Sequence, residues 1–485
     1  MRHVFRTSCL LTLILWAGCV SQRIVWSPDG TRAAILGDDG LHVCDVNGKL
    51  TPVLVKDVKC TEWLPDSQRL VVSIQHELKK WADASQSLPE DAAVAKKHID
   101  AVRDELTAAS HDWSAFWESA KQKLQLTDEQ LALALMCIRD QSAGVPILKL
   151  DQKGQQSYQD QAILEDTLQI YSLDKSGATA GPVLYRRETT GQGVQSLRVA
   201  PTGKAVLVTY NDISRSTDQQ QLLDLLLVPT DGSQKAIDLG KSAKYPDWSP
   251  DGKYVVYVMP TGWNGNNMQV LVGDLRRLQV TDEKGNFLDA EHAPSEDFAG
   301  VLFNELSRVR IAKDGRIFFS ASEISLPLAA RDYDARPTIF SFEPGKQSTL
   351  TRVVPRGAMQ TVGDAAQYFE LSPDARYISI PFDDGRVSVL KLGSLASDDI
   401  QIVQGDAKTE GDNKTELGSV PVWRTPTELT FVRPVANSTA QEVVRYSIPD
   451  KAVTVISKGW PGSVSGRLAS EQTSAKAIAP SPTQK

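Results

Sequence analysis

Short apolar runs separated by polar turns recur along most of this chain, and the turns follow one pattern. Trp248-Ser249-Pro250-Asp251-Gly252 leads into Tyr254–Val258, Trp26-Ser27-Pro28-Asp29-Gly30 into Ala33–Leu36, and Trp63-Leu64-Pro65-Asp66-Ser67 into Leu70–Ile74. Val199-Ala200-Pro201-Thr202-Gly203 precedes Ala205–Val208, Ile311-Ala312-Lys313-Asp314-Gly315 precedes Ile317–Phe319, Leu371-Ser372-Pro373-Asp374-Ala375 precedes Tyr377–Ile380, and Trp423-Arg424-Thr425-Pro426 precedes Leu429–Val432. An apolar residue ends one strand, Pro fixes the turn dihedral, Asp bonds back to the backbone, and Gly accepts the left-handed position. The Val, Ile, Tyr and Phe of the following run favour a strand packed on both faces.

A further strand follows each turn unit: Leu41–Val46, Gln169–Leu173, Leu225–Val228, Val270–Leu275, Thr338–Phe342, Val387–Leu390 and Val443–Ser447. The anchors at 26, 63, 199, 248, 311, 371 and 423 are spaced for four short strands plus connections, except for one long gap after the second. A four-stranded sheet cannot bury both faces alone, so its copies must stack, and radial stacking leaves only short edges. The pattern predicts an all-β chain, a seven-bladed β-propeller over residues 19–470. Six or eight blades are the alternative counts, because Ile311 and Trp423 stand in weak copies.

Within the gap, alternation gives way to Ala, Leu, Lys and Glu-rich text over residues 87–141, which predicts a helical insertion between the second and third repeats. Ser87-x-x-Glu90 and Thr127-x-x-Gln130 have capping-box spacing. Ile99, Val102 and Leu106 form one apolar stripe, Trp113, Phe116 and Trp117 a second, and Leu131, Ala134, Leu135 and Ile138 a third. The aromatic trio has two readings: glue for the insertion's own packing, or a partner-binding patch, which would be exposed. Trp263, in a Gly- and Asn-rich stretch, is another candidate partner contact, with hairpin extension as the plainer role.

The amino terminus bears on compartment. Arg2 and Arg6 precede the apolar run Cys9–Gly18, which reads as a signal peptide over residues 1–18 and is too short to span a bilayer. Cys19 directly after Ala17-Gly18 resembles the lipobox of bacterial lipoproteins, with Trp16 where that pattern usually carries Leu. The resemblance implies acylation of Cys19, by palmitate among other chains, and a tether too short to hold the body far from a membrane. An ordinary secretory signal and a non-cleaved segment are the alternatives. Val20, not acidic, points to the outer membrane, facing the periplasm. Residues 471–485, rich in Ser, Ala, Pro and Thr, read as a disordered tail.

Charge and chemistry narrow the function classes. The formal net charge is -7 with no concentrated basic run, which argues against nucleic acid as a partner. Cys44, Cys60 and Cys137 are too few for a disulfide framework; Cys44 and Cys60 could pair, or all three could be small buried residues. The sequence contains no His-Glu-x-x-His, phosphate loop, Gly-x-Ser-x-Gly elbow or close His–Cys grouping, so it names no catalytic residue, metal ligand or cofactor. Asp29, Asp66, Asp251, Asp314 and Asp374 belong to the turns, where backbone capping accounts for them.

The copies at Trp26, Trp248 and Leu371 resemble the repeats of TolB-like, WD40-like propellers of bacterial envelope proteins. That resemblance is specific for blade architecture; the same unit serves periplasmic scaffolds and the non-catalytic domains of peptidases. Together with the lipobox resemblance at Cys19, the expectation is a lipid-anchored envelope protein acting as a non-catalytic interaction scaffold for another envelope protein. The alternative is a hydrolase or small-ligand binder using the channel mouth, where loops from several blades converge.

Overall fold

The computed structural model describes residues 24–37, 39–108, 112–141, 150–174, 177–190, 193–211, 223–232, 235–263, 271–303, 307–322, 337–345, 350–354, 369–381, 387–393, 400–403, 421–434 and 440–461. The signal segment, Cys19 and the tail fall outside them. The chain forms seven antiparallel blades arranged as a β-propeller. It divides into two compact units, Met1–Lys56 with Ala312–Lys485, and Asp57–Ile311.

In the second unit, blade 2 comprises Val58–Trp63, Arg69–Leu78, Ile163–Asp174 and Gly177–Thr189. Blade 3 comprises Gly193–Val199, Ala205–Asn211, Leu223–Pro229 and Ile237–Ser242, and blade 4 Asp247–Trp248, Tyr254–Trp263, Leu271–Gln279 and Ser295–Phe303. Val309–Ile311, the first strand of blade 5, closes this unit. The two middle strands of blade 3 are buried at every position, as expected of a sheet covered on both faces.

In the first unit, blade 1 is Ile24–Trp26, Arg32–Gly37 and Gly40–Asp45, with a fourth edge reduced to bridges from Leu50 and Val55. Blade 5 continues with Ile317–Ser322, Pro337–Phe342 and Thr351–Arg352. Blade 6 is Glu370–Leu371, Tyr377–Pro381, Val387–Lys391 and Ile400–Val403, and blade 7 Val422–Thr425, Glu428–Pro434, Ala440–Ser447 and Ala452–Pro461. Every sequence anchor falls in the first strand of its blade, so seven is the count.

In the three copies that carry Ser before Pro-Asp, the turn is built the same way. Ser249 Oγ donates to Asp251 Oδ1 at 2.6 Å, Lys253 N donates to the same carboxylate at 3.0 Å, and Tyr254 N donates to Ser249 Oγ at 2.9 Å. Ser27 with Asp29 and Ser372 with Asp374 repeat the arrangement. These bonds hold the carboxyls of Asp29, Asp251 and Asp374 below the usual range despite partial desolvation.

The turn also packs blade on blade. Gly252 has φ +70°, and a Cβ there would stand 2.9 Å from Thr202 Cγ2, in the turn of the preceding blade. A Cβ on Gly203 would meet Pro65 at 3.0 Å in the same manner. The tryptophans before the turns reach back as well. Trp248 Nε1 donates to Arg198 O at 2.8 Å, Trp423 Nε1 to Glu370 O at 3.1 Å, and Trp26 Nε1 to Thr430 Oγ1 at 2.7 Å. The last of these joins blade 1 to blade 7. There Ile24, Trp26, Ile35, Val422 and Val443 share one apolar cluster, and Arg424 Nε donates to Gly30 O. Among the described residues no strand pairs across this seam, and besides these side chains Gly48 lies close against the backbone of Ile456.

Candidate interaction face

The insertion lies inside blade 2, between its second and third strands, rather than between repeats 2 and 3. Its helices also run wider than residues 87–141: α1 Trp81–Ser87, α2 Pro89–Ala108, α3 Trp113–Leu124, α4 Asp128–Gln141 and α5 Gln152–Gln159. α4 is no amphipathic stripe. Every residue from Leu131 to Ile138 is buried, because α1, α2, α3 and the third strand of blade 2 all contact it.

Caps set the helix starts. Gln130 N donates to Thr127 Oγ1 at 3.2 Å while Thr127 N donates to Gln130 Oε1 at 3.1 Å, completing the box at α4. Asp112 caps α3 through Ser114 N, and Asp151 caps α5 through Gly154 N. Ser87 does not cap α2; it ends α1 and turns its hydroxyl to Glu165 and Glu188 of the blade.

The aromatic trio packs inward. Phe116 is buried, and Trp113 and Trp117 are partly buried against the same core. The ring centroids of Trp113 lie 5.3 Å from Phe116 and 5.8 Å from Trp117. Trp117 Nε1 donates to Asp128 Oδ1, and Lys121 Nζ bonds the other oxygen of that buried carboxylate at 2.8 Å. The exposure that a partner patch requires is therefore missing at Phe116. Trp263 ends the second strand of blade 4, opposite Leu271, as a hairpin extension; its side chain lies outside the described residues.

Two residues at the end of α4 clamp the insertion to the blade. Arg139 donates to Gln159 O at 2.9 Å, Gln161 O at 2.8 Å and Lys79 O, while Asp140 Oδ2 accepts from Trp81 N at 2.7 Å. Both chain crossings into the insertion are thus held by one Arg–Asp pair. Sequence reasoning missed it because its partners are backbone atoms some sixty residues upstream and twenty downstream.

Near this root lies a buried carboxylate. Asp166 is 1 % exposed and accepts from Gln75 Nε2 at 3.0 Å and Tyr210 Oη at 2.9 Å, tying blade 2 to blade 3. Burial raises its carboxyl above the usual range, and raises the Tyr210 phenol too. Gly193, φ +75°, leaves the space: a Cβ there would fall 2.3 Å from Asp166 Oδ2. The Arg187 guanidinium covers the Tyr210 ring at 4.3 Å. A second polar chain links first strands: Arg198 bonds Asp247 at 2.7 Å and approaches Glu62 at 3.8 Å, and Asp247 Oδ2 accepts from Ile311 N at 2.9 Å. These groups satisfy one another across blades 2 to 5, which suits a structural tie.

Among the described residues no three His, Cys, Asp or Glu side chains gather as a metal cage. His42 sits between Thr51 O and Asp39, and His292 rests on Asp289 of its own turn. A groove of about 200 Å³ between the turns of blades 3 and 4 is floored by Trp248 and Phe287. Its three lysines, Lys204, Lys253 and Lys284, are balanced by Asp251, Asp282 and Glu283. Cys44 and Cys60 are not paired in a disulfide, and Cys137 forms none among the described residues. Burial pushes the Cys44 thiol up to about 11. No helix among the described residues is long and apolar enough to cross a membrane.

The chain is a seven-bladed β-propeller. Among solved structures it is similar to Kuenenia stuttgartiensis hydrazine synthase, at 14 % identity and a TM-score of 0.41 over 92 % of this chain and 97 % of that one. It is also similar to a protein described as TolB from Agrobacterium tumefaciens, at 14 % identity and a TM-score of 0.34 over 58 % and 86 %. A third is the Cps50 (Swd1) β-propeller domain of Myceliophteria thermophila, at 9 % identity and a TM-score of 0.38 over 90 % and 95 %. These likenesses concern fold alone. No family model matches the chain, and no curated protein matches it either.

Proposed function

We propose that this protein is a bacterial envelope lipoprotein, anchored through acylated Cys19 in the outer membrane and facing the periplasm. There it serves as a non-catalytic scaffold that recruits another envelope protein through its helical insertion. The observation that carries this reading is the insertion itself: a helical subdomain with its own core, clamped at both chain crossings by Arg139 and Asp140. Such a projection is rigid enough to present a fixed surface, and rigidity lowers the ordering cost of association. Its aromatic residues support that surface from within, so recognition falls to the outer residues of α2 and α3.

The test replaces Trp81–Gln159 with a short turn and compares partners captured from intact cells by crosslinking. Loss of the wild-type partners from a folded deletion protein is the expected result. Recovery of the same partners from it would reject the insertion as the binding element. Metabolic labelling with a palmitate analogue, followed by density fractionation, tests the anchor: Cys19→Ser should lose both the label and the membrane association. A labelled, membrane-bound Cys19→Ser protein would count against it.

A further inference from the structure

The groove between the turns of blades 3 and 4 has an apolar floor and a cationic rim. Ala200 and Trp248, both buried, form the floor, and Phe287 packs against the same apolar cluster. The indole Nε1 of Trp248 is already spent on Arg198 O, so the ring offers this space only apolar surface. Lys204, Lys253 and Lys284 stand exposed on the rim, one from each of three segments: the blade 3 turn, the blade 4 turn and the hairpin closed by the Thr281–Phe287 bridge. Lys204 Nζ reaches that hairpin, 3.6 Å from where a Cβ on Gly285 would stand. The carboxylates of the rim offset this charge in number, but two of them are committed to their own turns. Asp251 Oδ1 accepts from Ser249 Oγ and Lys253 N, and Asp282 accepts from Lys284 N, Asn286 N and Asn286 Nδ2.

We infer that this groove is a second partner site, which captures the carboxy-terminus of another protein chain ending in an apolar residue. The last side chain lies on Trp248 and Phe287, and the terminal carboxylate takes hydrogens from the lysine rim. Three ammonium groups hold more donors than one carboxylate uses, and the carbonyls of the preceding peptide bonds take up the remainder. A bare apolar acid lacks those acceptors, so a chain end suits the rim better. The walls are set before any ligand arrives. Gly252 and Thr202 meet across the blade boundary so closely that a Cβ on Gly252 would overlap Thr202, and a preformed groove lowers the ordering cost of binding. None of the lining residues belongs to the helical insertion, so this site stands or falls separately from the insertion's own role.

Fluorescence anisotropy of the full-length protein tests the site, with the peptide Gly-Ser-Gly-Ser-Phe labelled at its amino end as the probe. The peptide with a free carboxylate should bind about tenfold more tightly than its carboxamide, and high salt should shrink that advantage. Lys204→Gln and Lys284→Gln should each weaken the free acid about two- to fivefold, the worth of one exposed ion pair, while Lys97→Gln on α2 should leave it unchanged. Glu283→Gln removes the one rim carboxylate not committed to its turn and should tighten binding about twofold. Equal affinity for acid and amide would overturn the proposal, as would binding indifferent to Lys204 and Lys284, or none at about 1 mM protein. Phenylpropionate supplies the remaining arm, and should displace the labelled peptide only at about tenfold higher concentration than the unlabelled peptide does. Displacement at equal concentration would show a site for free acids and overturn the assignment to a chain end.

Discussion

Gly252→Ala should destabilise this protein by more than its backbone geometry requires. At φ +70° an alanine bears the left-handed penalty, about 1–2 kcal/mol. Its Cβ would also sit 2.9 Å from Thr202 Cγ2, a forced overlap with the preceding blade that costs a further ~1–3 kcal/mol. Gly315 provides the control, because it occupies the equivalent turn of blade 5 at φ +86° with no described atom within 4 Å of where a Cβ would stand. Gly315→Ala should therefore show the backbone penalty alone. Urea unfolding followed by tryptophan fluorescence measures both, with hydrogen exchange as the second readout should the transition not be two-state. Thr202→Ser removes the clashing methyl, so in a double-mutant cycle it should return about 1 kcal/mol to Gly252→Ala. Equal costs for the two alanine variants, with no coupling to Thr202, would refute the claim that these turns pack blade on blade.

Ala375 sits at φ +51° in the same turn position, so Ala375→Gly should raise stability by about 1 kcal/mol, read as a higher urea midpoint. Asp166 tests the buried tie: its folded-state carboxyl is raised, so ionisation opposes folding, and this cost appears as pH climbs above the unfolded value of about 3.9 and levels off above the raised one. Asp166→Asn should consequently match wild type near pH 4 and exceed it near pH 8 in urea unfolding; a variant less stable at pH 8 would show that the charge is needed. Thiol labelling should modify Cys60 in the native protein and spare Cys44 and Cys137 until unfolding, since both are buried. Rapid native labelling of all three would contradict that burial.

Blade architecture was legible because the turn repeats and its chemistry is local. Pro, Asp and Gly at fixed offsets fix a hairpin whatever surrounds it, and all seven anchors lie in first strands. The helix start at Thr127 was legible for the same reason. The capping reading of Ser87 failed because two blade carboxylates, far along the chain, compete for its hydroxyl. The insertion's limits blurred where α1 and α5 are short and polar, with little periodicity to distinguish them from loop. Asp166 gave no signal, since nothing in its neighbourhood along the chain marks it as buried; Gln75 and Tyr210 reach it from other strands. Trp113, Phe116 and Trp117 were visible as a cluster, but whether aromatics face a core or a partner is decided by tertiary packing.

The seam between blades 1 and 7 bears on how the molecule is made. Trp26 and Thr430 are 404 residues apart, so a strand made early in synthesis is among the last to find its neighbour. Loop-closure entropy grows only slowly with length, and a contact this distant is not prohibitive at equilibrium. The burden is kinetic: non-local pairing is slow, and an early blade with an uncovered apolar side is open to association with other chains meanwhile. Under the proposed export, that interval falls in the periplasm, where holdase chaperones, rather than any contact within the finished blades, would decide the yield.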